Sequence, residues 1–132
     1  MSEEEINRVS YELQMYEYQA KQMQNTMQQI EQALQELMMS KEAIINLEKG
    51  KIALLPLGAG VFAKVEVKDS ENIIAAFSNN LFSEQDSKSV LEKLNTDIEI
   101  YSSELERMSK EFQELINKLQ ELSKKAKNVE KE

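Results

Sequence analysis

The 132-residue chain contains neither cysteine nor histidine. Without cysteine there is no disulfide framework, no thiolate metal site and no thiolate nucleophile. Without histidine the usual general base and the commonest metal ligand are missing too. Glycine occurs three times and proline once. Leu57-Gly58-Ala59-Gly60 superficially suggests a phosphate-cradling loop, but it lacks a third glycine, a following helix and the Gly-Lys-Ser/Thr ending. It reads as a turn between β-strands. No apolar run approaches membrane-spanning length, and the start Met1-Ser2-Glu3-Glu4-Glu5 is acidic where a secretory leader is basic. Carboxylates are plentiful, yet Glu104, Glu111 and Lys118 recur every seven residues, as on a solvated helix face. These absences point to a cytoplasmic protein that is not an enzyme, carries no cofactor and does not insert in a membrane.

Charged residues make up 30% of the chain and the net charge is −8. Residues 1–50 carry four basic and nine acidic groups, residues 51–82 three of each, and residues 83–132 nine basic and twelve acidic. Acidic ends around a neutral middle argue against a nucleic-acid partner. A neutral middle suits a surface that packs against other protein. Twenty Asn and Gln residues and seven Met weigh against an extreme thermophile.

What is present is periodic. Ile6, Val9, Leu13, Tyr16, Ala20, Met23, Met27, Ile30, Leu34, Leu37 and Ile44 follow heptad spacing, with Lys41 as the one polar break. Leu91, Leu94, Ile98, Tyr101, Leu105, Met108, Phe112, Leu115, Leu119, Leu122, Ala126 and Val129 do so without a break. Alternating steps of three and four are the seam of a left-handed coiled coil. The expected fold is mainly α, a long antiparallel coiled-coil hairpin with a small inserted β-region of two hairpins. Each helix would have about 45 residues at about 1.5 Å, an arm of about 65–70 Å. Met38 and Ile45 beside Leu37 and Ile44 widen the stripe, through contact beyond the helical partner or through local distortion by Lys41.

The expected boundaries are residues 1–50 for the first helix, 51–82 for the two hairpins and 83–132 for the second helix. Ser2 and Glu5 form a capping box, and Gly50 stands where a helix stops. Residues 52–57 make a strand ended by Pro56. From Val61 the pattern has period two, with Val61, Ala63, Val65 and Val67 facing one way and Phe62, Lys64, Glu66 and Lys68 the other. Asp69–Asn72 is a turn, Ile73–Phe77 a strand, Ser78-Asn79-Asn80 a second turn and Leu81-Phe82 a last short strand. Ser83 would cap the second helix, with acidic residues in its first turn.

An insert of about 32 residues is too small to stand alone without disulfide or metal, and its strand edges need cover. It should assemble with other subunits into a closed β-barrel. The expected assembly residues are Leu55, Leu57, Val61, Ala63, Val65, Val67, Ile73, Ile74 and Phe77. If the helices pair end to end, partner numbers sum to about 135. Ile6 then meets Val129, Leu13 meets Leu122, Tyr16 meets Leu119, Ala20 meets Leu115, Met23 meets Phe112 and Leu37 meets Ile98. Small Ala20 beside Leu115 fits that register.

The stretch Leu55-Pro56-Leu57-Gly58-Ala59-Gly60-Val61-Phe62-Ala63-Lys64-Val65-Glu66-Val67-Lys68-Asp69 resembles the alpha-type subunit of the prefoldin family. The flanking helices and the double-hairpin insert extend the resemblance over essentially the whole chain. Where that family often has a glycine in its second turn, this chain has Ser78-Asn79-Asn80, and Asn tolerates positive φ well. The resemblance implies two alpha-type subunits joined with four beta-type subunits through β-barrels. It also implies holding of unfolded client proteins without ATP, and their transfer to a group II chaperonin. The chain looks archaeal in kind.

A holding surface needs apolar groups that can open to a client. Coiled-coil ends fray, so the candidate client-binding residues are Ile6, Val9, Leu13, Leu122, Ala126 and Val129, the last seam layers. Glu3, Glu4, Glu5, Glu130 and Glu132 would keep such ends soluble. The alternatives are a structural coiled-coil adaptor, in which these residues are ordinary core, and a self-assembling prefoldin-like filament protein.

Overall fold

In the computed structural model the structure describes residues 2–130, with side chains through residue 128. The elements run α1 (Glu3–Asn46), β1 (Ile52–Gly58), β2 (Val61–Glu66), β3 (Asn72–Ser78), β4 (Leu81–Asp86) and α2 (Ser87–Glu130). They divide into two compact units, Met1–Leu34 with Tyr101–Glu132, and Gln35–Ile100.

The first unit is purely helical. α1 starts where Ser2 accepts a hydrogen bond from the Glu5 N–H through Oγ at 3.3 Å, with Glu3, Glu4 and Glu5 in its first turn facing the positive end of the helix dipole. The chain leaves this unit at Leu34 and returns at Tyr101, so the two helical segments run antiparallel. Low exposure falls on the heptad positions: Val9, Ala20 and Leu115 are buried, and Leu13, Tyr16, Met23, Leu105, Met108, Phe112, Leu119 and Leu122 are half-buried. Glu104, Arg107 and Glu111 form an exposed ladder on α2, with Arg107 Nη1 2.6 Å from Glu111 Oε1 and Nη2 paired to Glu104. The pairing holds the Glu104 carboxyl below its ordinary pKa and raises that of Arg107.

The second unit holds both hairpins. β1 pairs with β2 and β3 with β4, each antiparallel, in two separate two-stranded sheets. Ala59 and Gly60 both have positive φ, 52° and 78°, as the right-handed twist of a two-residue hairpin turn requires. In the second hairpin only one of the two turn residues, Asn80, has positive φ, at 63°, so the two turns differ in type. The sequence expectation for both turns holds.

Three boundaries differ from expectation. α1 ends at Asn46 rather than at Gly50. Gly50, with φ 87°, is used instead by the first sheet: its N–H donates to Val67 O at 2.8 Å, and the Val67 N–H to Lys51 O at 2.9 Å. β4 runs to Asp86, four residues past the expected boundary, because β3 offers partners along its whole length, from Ser78↔Leu81 to Asn72↔Asp86. Ser83 therefore sits in the strand opposite Ala75 and caps nothing, and α2 begins at Ser87 with no acidic residue in its first turn. The Ser87 N–H donates to Glu71 O at 2.7 Å.

Between the hairpins Asp69 organises the crossover. Its Oδ1 accepts the N–H of Glu71 at 2.9 Å and of Asn72 at 3.1 Å, and its Oδ2 accepts Asn72 Nδ2 at 3.2 Å. The Asn72 backbone bond, then that of Glu71, lowers the Asp69 pKa from its ordinary value of 3.8.

Candidate functional site

The two hairpins are built on one plan, displaced by 20 residues. Ile52↔Glu66 corresponds to Asn72↔Asp86, Leu55↔Ala63 to Ala75↔Ser83, and Gly58↔Val61 to Ser78↔Leu81. Both ladders slip at the same place, one residue before the turn. The extra residue is Leu57 in one and Phe77 in the other, a bulge that twists the strand and leaves a large side chain in the open. Val61-Phe62 and Leu81-Phe82 follow the turns, and all four are exposed.

Each hairpin also has two unequal faces. Ala53, Leu55, Ala63 and Val65 share one face of the first, and Ile73, Ala75, Ser83 and Gln85 the matching face of the second. Most of these are half-buried. In the second hairpin that face borders an open groove of about 460 Å³ whose other walls include Ala43, Ile44, Val90 and Leu94. Gln85 Nε2 donates there to Ala75 O and to Ser83 Oγ, both at 3.2 Å. The opposite faces carry Ile52, Leu54 and Phe62, and Ile74 and Phe82, all exposed.

Of the assembly residues read from sequence, Leu55, Leu57, Val61, Val65, Ile74 and Phe77 are exposed, while Ala63, Val67 and Ile73 are half-buried. Ile73 and Ile74 lie on opposite faces of β3, Ile74 with 77% of its surface open. Ile52, Leu54, Phe62, Leu81 and Phe82, which the sequence reading did not single out, are exposed on the hairpins as well. Their signal is the period-two pattern carried through to the second face. Met38 and Ile45, which widen the stripe near the end of α1, are exposed as well, and so is Met39; among the described residues nothing covers them fully.

Exposure at the helix ends is mixed. Ile6 is 41% exposed, but Val9 only 8%. Leu13, Leu122 and Ala126 are half-buried. The side chains of Val129, Glu130 and Glu132 lie outside the described residues. Among the described residues no helix is long and apolar enough to cross a membrane, and no acidic cluster could hold a metal ion.

The family model described as Prefoldin subunit matches residues 16–132. The chain belongs to the prefoldin family. Prefoldin subunit alpha of Methanococcus aeolicus is 31% identical over 96 residues, covering 73% of this chain and 67% of that protein. Prefoldin subunit alpha 1 of Methanocaldococcus jannaschii is 27% identical over 96 residues with the same coverage. The aligned region thus spans about two thirds of the length of these relatives. A chain in the cryo-EM structure of filamentous PFD from Methanocaldococcus jannaschii is similar at 16% identity, with a TM-score of 0.48, over 92% of this chain and 97% of that one. Within the prefoldin family the chain is alpha-like, as the Leu55–Asp69 stretch implied, and archaeal in kind. Prefoldins are chaperones built from several subunits and are not enzymes, and this chain is one such subunit.

Proposed function

We propose that this prefoldin subunit works as an ATP-independent holdase: its two hairpins assemble, and the terminal ends of its helices hold non-native proteins. The observation that carries the assembly half is apolar exposure on the outer face and at the turn end of both hairpins, with Ile52, Leu54, Leu57, Val61 and Phe62 on one and Ile74, Phe77, Leu81 and Phe82 on the other. A two-stranded hairpin is marginal in water, and one with Leu57, Phe62, Phe77 and Phe82 open to solvent needs partners to cover it. We assign Leu55, Leu57, Val61, Ala63, Val65, Val67, Ile73, Ile74 and Phe77 to a shared β-barrel, and add Ile52, Leu54, Phe62, Leu81 and Phe82.

The expected partners are beta-type subunits, four to two copies of this chain, in the cytoplasm. Clients would be held by Ile6, Val9, Leu13, Leu122, Ala126 and Val129 once the last seam layers open, then passed to a group II chaperonin. Ile6, already exposed at the first layer, supports this reading.

The test is native mass measurement of the full chain alone and with an archaeal beta-type subunit, followed by a client aggregation assay. A discrete hexamer that suppresses aggregation without ATP is expected. A ladder of large self-assemblies would favour the filament alternative, and an inert monomer would sink both. Deleting residues 1–13 and 122–132 should abolish suppression and leave the assembled mass pattern otherwise unchanged.

A further inference from the structure

The two helical segments of the first unit are stabilised unequally. On α2, between Glu104 and Asn117, side chains tie successive turns together. Arg107 pairs with both Glu104 and Glu111, Lys110 Nζ lies 3.7 Å from Glu106 Oε1, and Gln113 Nε2 donates to Asn117 Oδ1 at 3.2 Å. In the register read from the seam, with which the Lys118–Tyr16 contact agrees, this stretch faces residues 18–31 of α1. From Tyr18 to Ile30, α1 has one charged residue, Lys21, and its one opposite charge within a turn is Glu17, toward the helix start. No ion pair can therefore bridge a turn of α1 between Lys21 and Glu31.

Two further features weaken α1 at the same place. Asn25 and Thr26 stand side by side in the interior of a 44-residue helix, and both rank below Gln, Glu and Lys as helix formers. Thr26 Oγ1 also donates to Gln22 O at 3.0 Å, a back-bond that destabilises helices slightly and bends them. Thr96 makes the like bond to Glu92 O, but between Lys93 and Asp97 and in the second unit. The seam behind Thr26 is held by thioethers. Met23 and Met27 are half-buried, and the register sets Met27 opposite Met108. Unbranched Met fills space without fixing one packing.

We propose that Gln22–Met27 is a joint in α1, a stretch that opens locally while α2 runs past it as an unbroken spine. Local opening draws on the least stable part of a structure, and here that part lies inside the helix as well as at its ends. The ladder centred on Arg107 keeps α2 wound, and the buried Ala20 and Leu115 clamp the two helices next to the joint. The segment before the joint can then change direction without losing its pairing. An arm built this way yields in its middle instead of unzipping from its end.

Hydrogen exchange on the full chain, resolved by fragment mass spectrometry and corrected for intrinsic rates, tests the joint. Amides of residues 24–30 should exchange about tenfold faster than those of residues 107–113. Equal protection of the two stretches overturns the proposal. Gln22→Glu with Thr26→Lys supplies an ion pair across the turn and removes the back-bond, at two exposed positions that leave the seam untouched. That chain should slow exchange at 24–30 toward the level of α2, with little change elsewhere. Uniform slowing along all of α1 would show general stabilisation and overturn the joint. Because the chain has no cysteine, paired spin labels give an independent reading. The distance distribution between labels at Gln14→Cys and Glu31→Cys should be broader than that between equally spaced Ser103→Cys and Gln120→Cys, and should narrow in the Gln22→Glu, Thr26→Lys chain. Equal widths on the two helices would exclude a joint confined to α1.

Discussion

The Lys118 ammonium on α2 lies 5.9 Å from the centroid of the Tyr16 ring on α1. Pairing numbers that sum to about 135 would set Tyr16 beside Leu119, the residue after Lys118, and this contact agrees with that register. It also moves Lys118 from the solvated face, where heptad spacing alone had put it, to the flank of the seam. Ala20 and Leu115, partners in that register, are both buried.

The register makes a direct prediction. Val9→Cys and Ala126→Cys in one chain should form an intramolecular bridge under mild oxidation, read as a mass loss of two hydrogens without dimer. Failure to close would mean that the helices are offset from this pairing, since a disulfide tolerates little misplacement.

Leu115→Ala should destabilise the chain by about 2–3 kcal/mol, near the low end for a buried leucine, because a two-helix seam lets neighbours relax into the gap. Urea unfolding followed by circular dichroism checks it. A loss below about 0.5 kcal/mol, the size of a surface change, would show that the seam is open at this layer.

Val65→Asp should abolish assembly with beta-type subunits while leaving the helical signal intact, since it buries an unpaired carboxylate in any face-to-face contact of β2. Mass photometry distinguishes the outcomes. Persistent hexamer would exclude this face of the first hairpin from the interface.

Asp69 should titrate below its ordinary value of 3.8, since the Asn72 and Glu71 amides favour its charged form. A lowered folded-state pKa stabilises above the ordinary value, and that contribution is lost as pH falls through the folded value. The crossover between hairpins should therefore loosen only in strongly acidic solution. Carboxyl carbon shifts followed by NMR give the midpoint, and one at or above 3.8 would count against the Asp69 turn.

Much of the fold was legible along the chain. The seam residues, the Ala59-Gly60 turn and the Asn80 turn all follow from spacing or from residues that accept positive φ. The start of α2 was not. Ser83 followed by Asp86 has the composition of a helix cap, but six rungs of pairing to β3 outweigh one capping bond. The duplication of the hairpins was hidden too: Leu54/Ile74, Leu57/Phe77, Val61/Leu81, Phe62/Phe82 and Glu66/Asp86 are chemically alike at that spacing, but Ile52/Asn72, Lys64/Glu84 and Val65/Gln85 are not.

By itself the sequence determined the periodic elements, since heptad and alternating patterns are properties of neighbours along the chain. Tertiary structure decided which apolar residues are left uncovered. Val9 and Tyr11 are both apolar in bulk and two residues apart, yet one is buried and the other 63% exposed. The reason is that burial depends on what the fold brings opposite a side chain, and α2 covers only one side of α1.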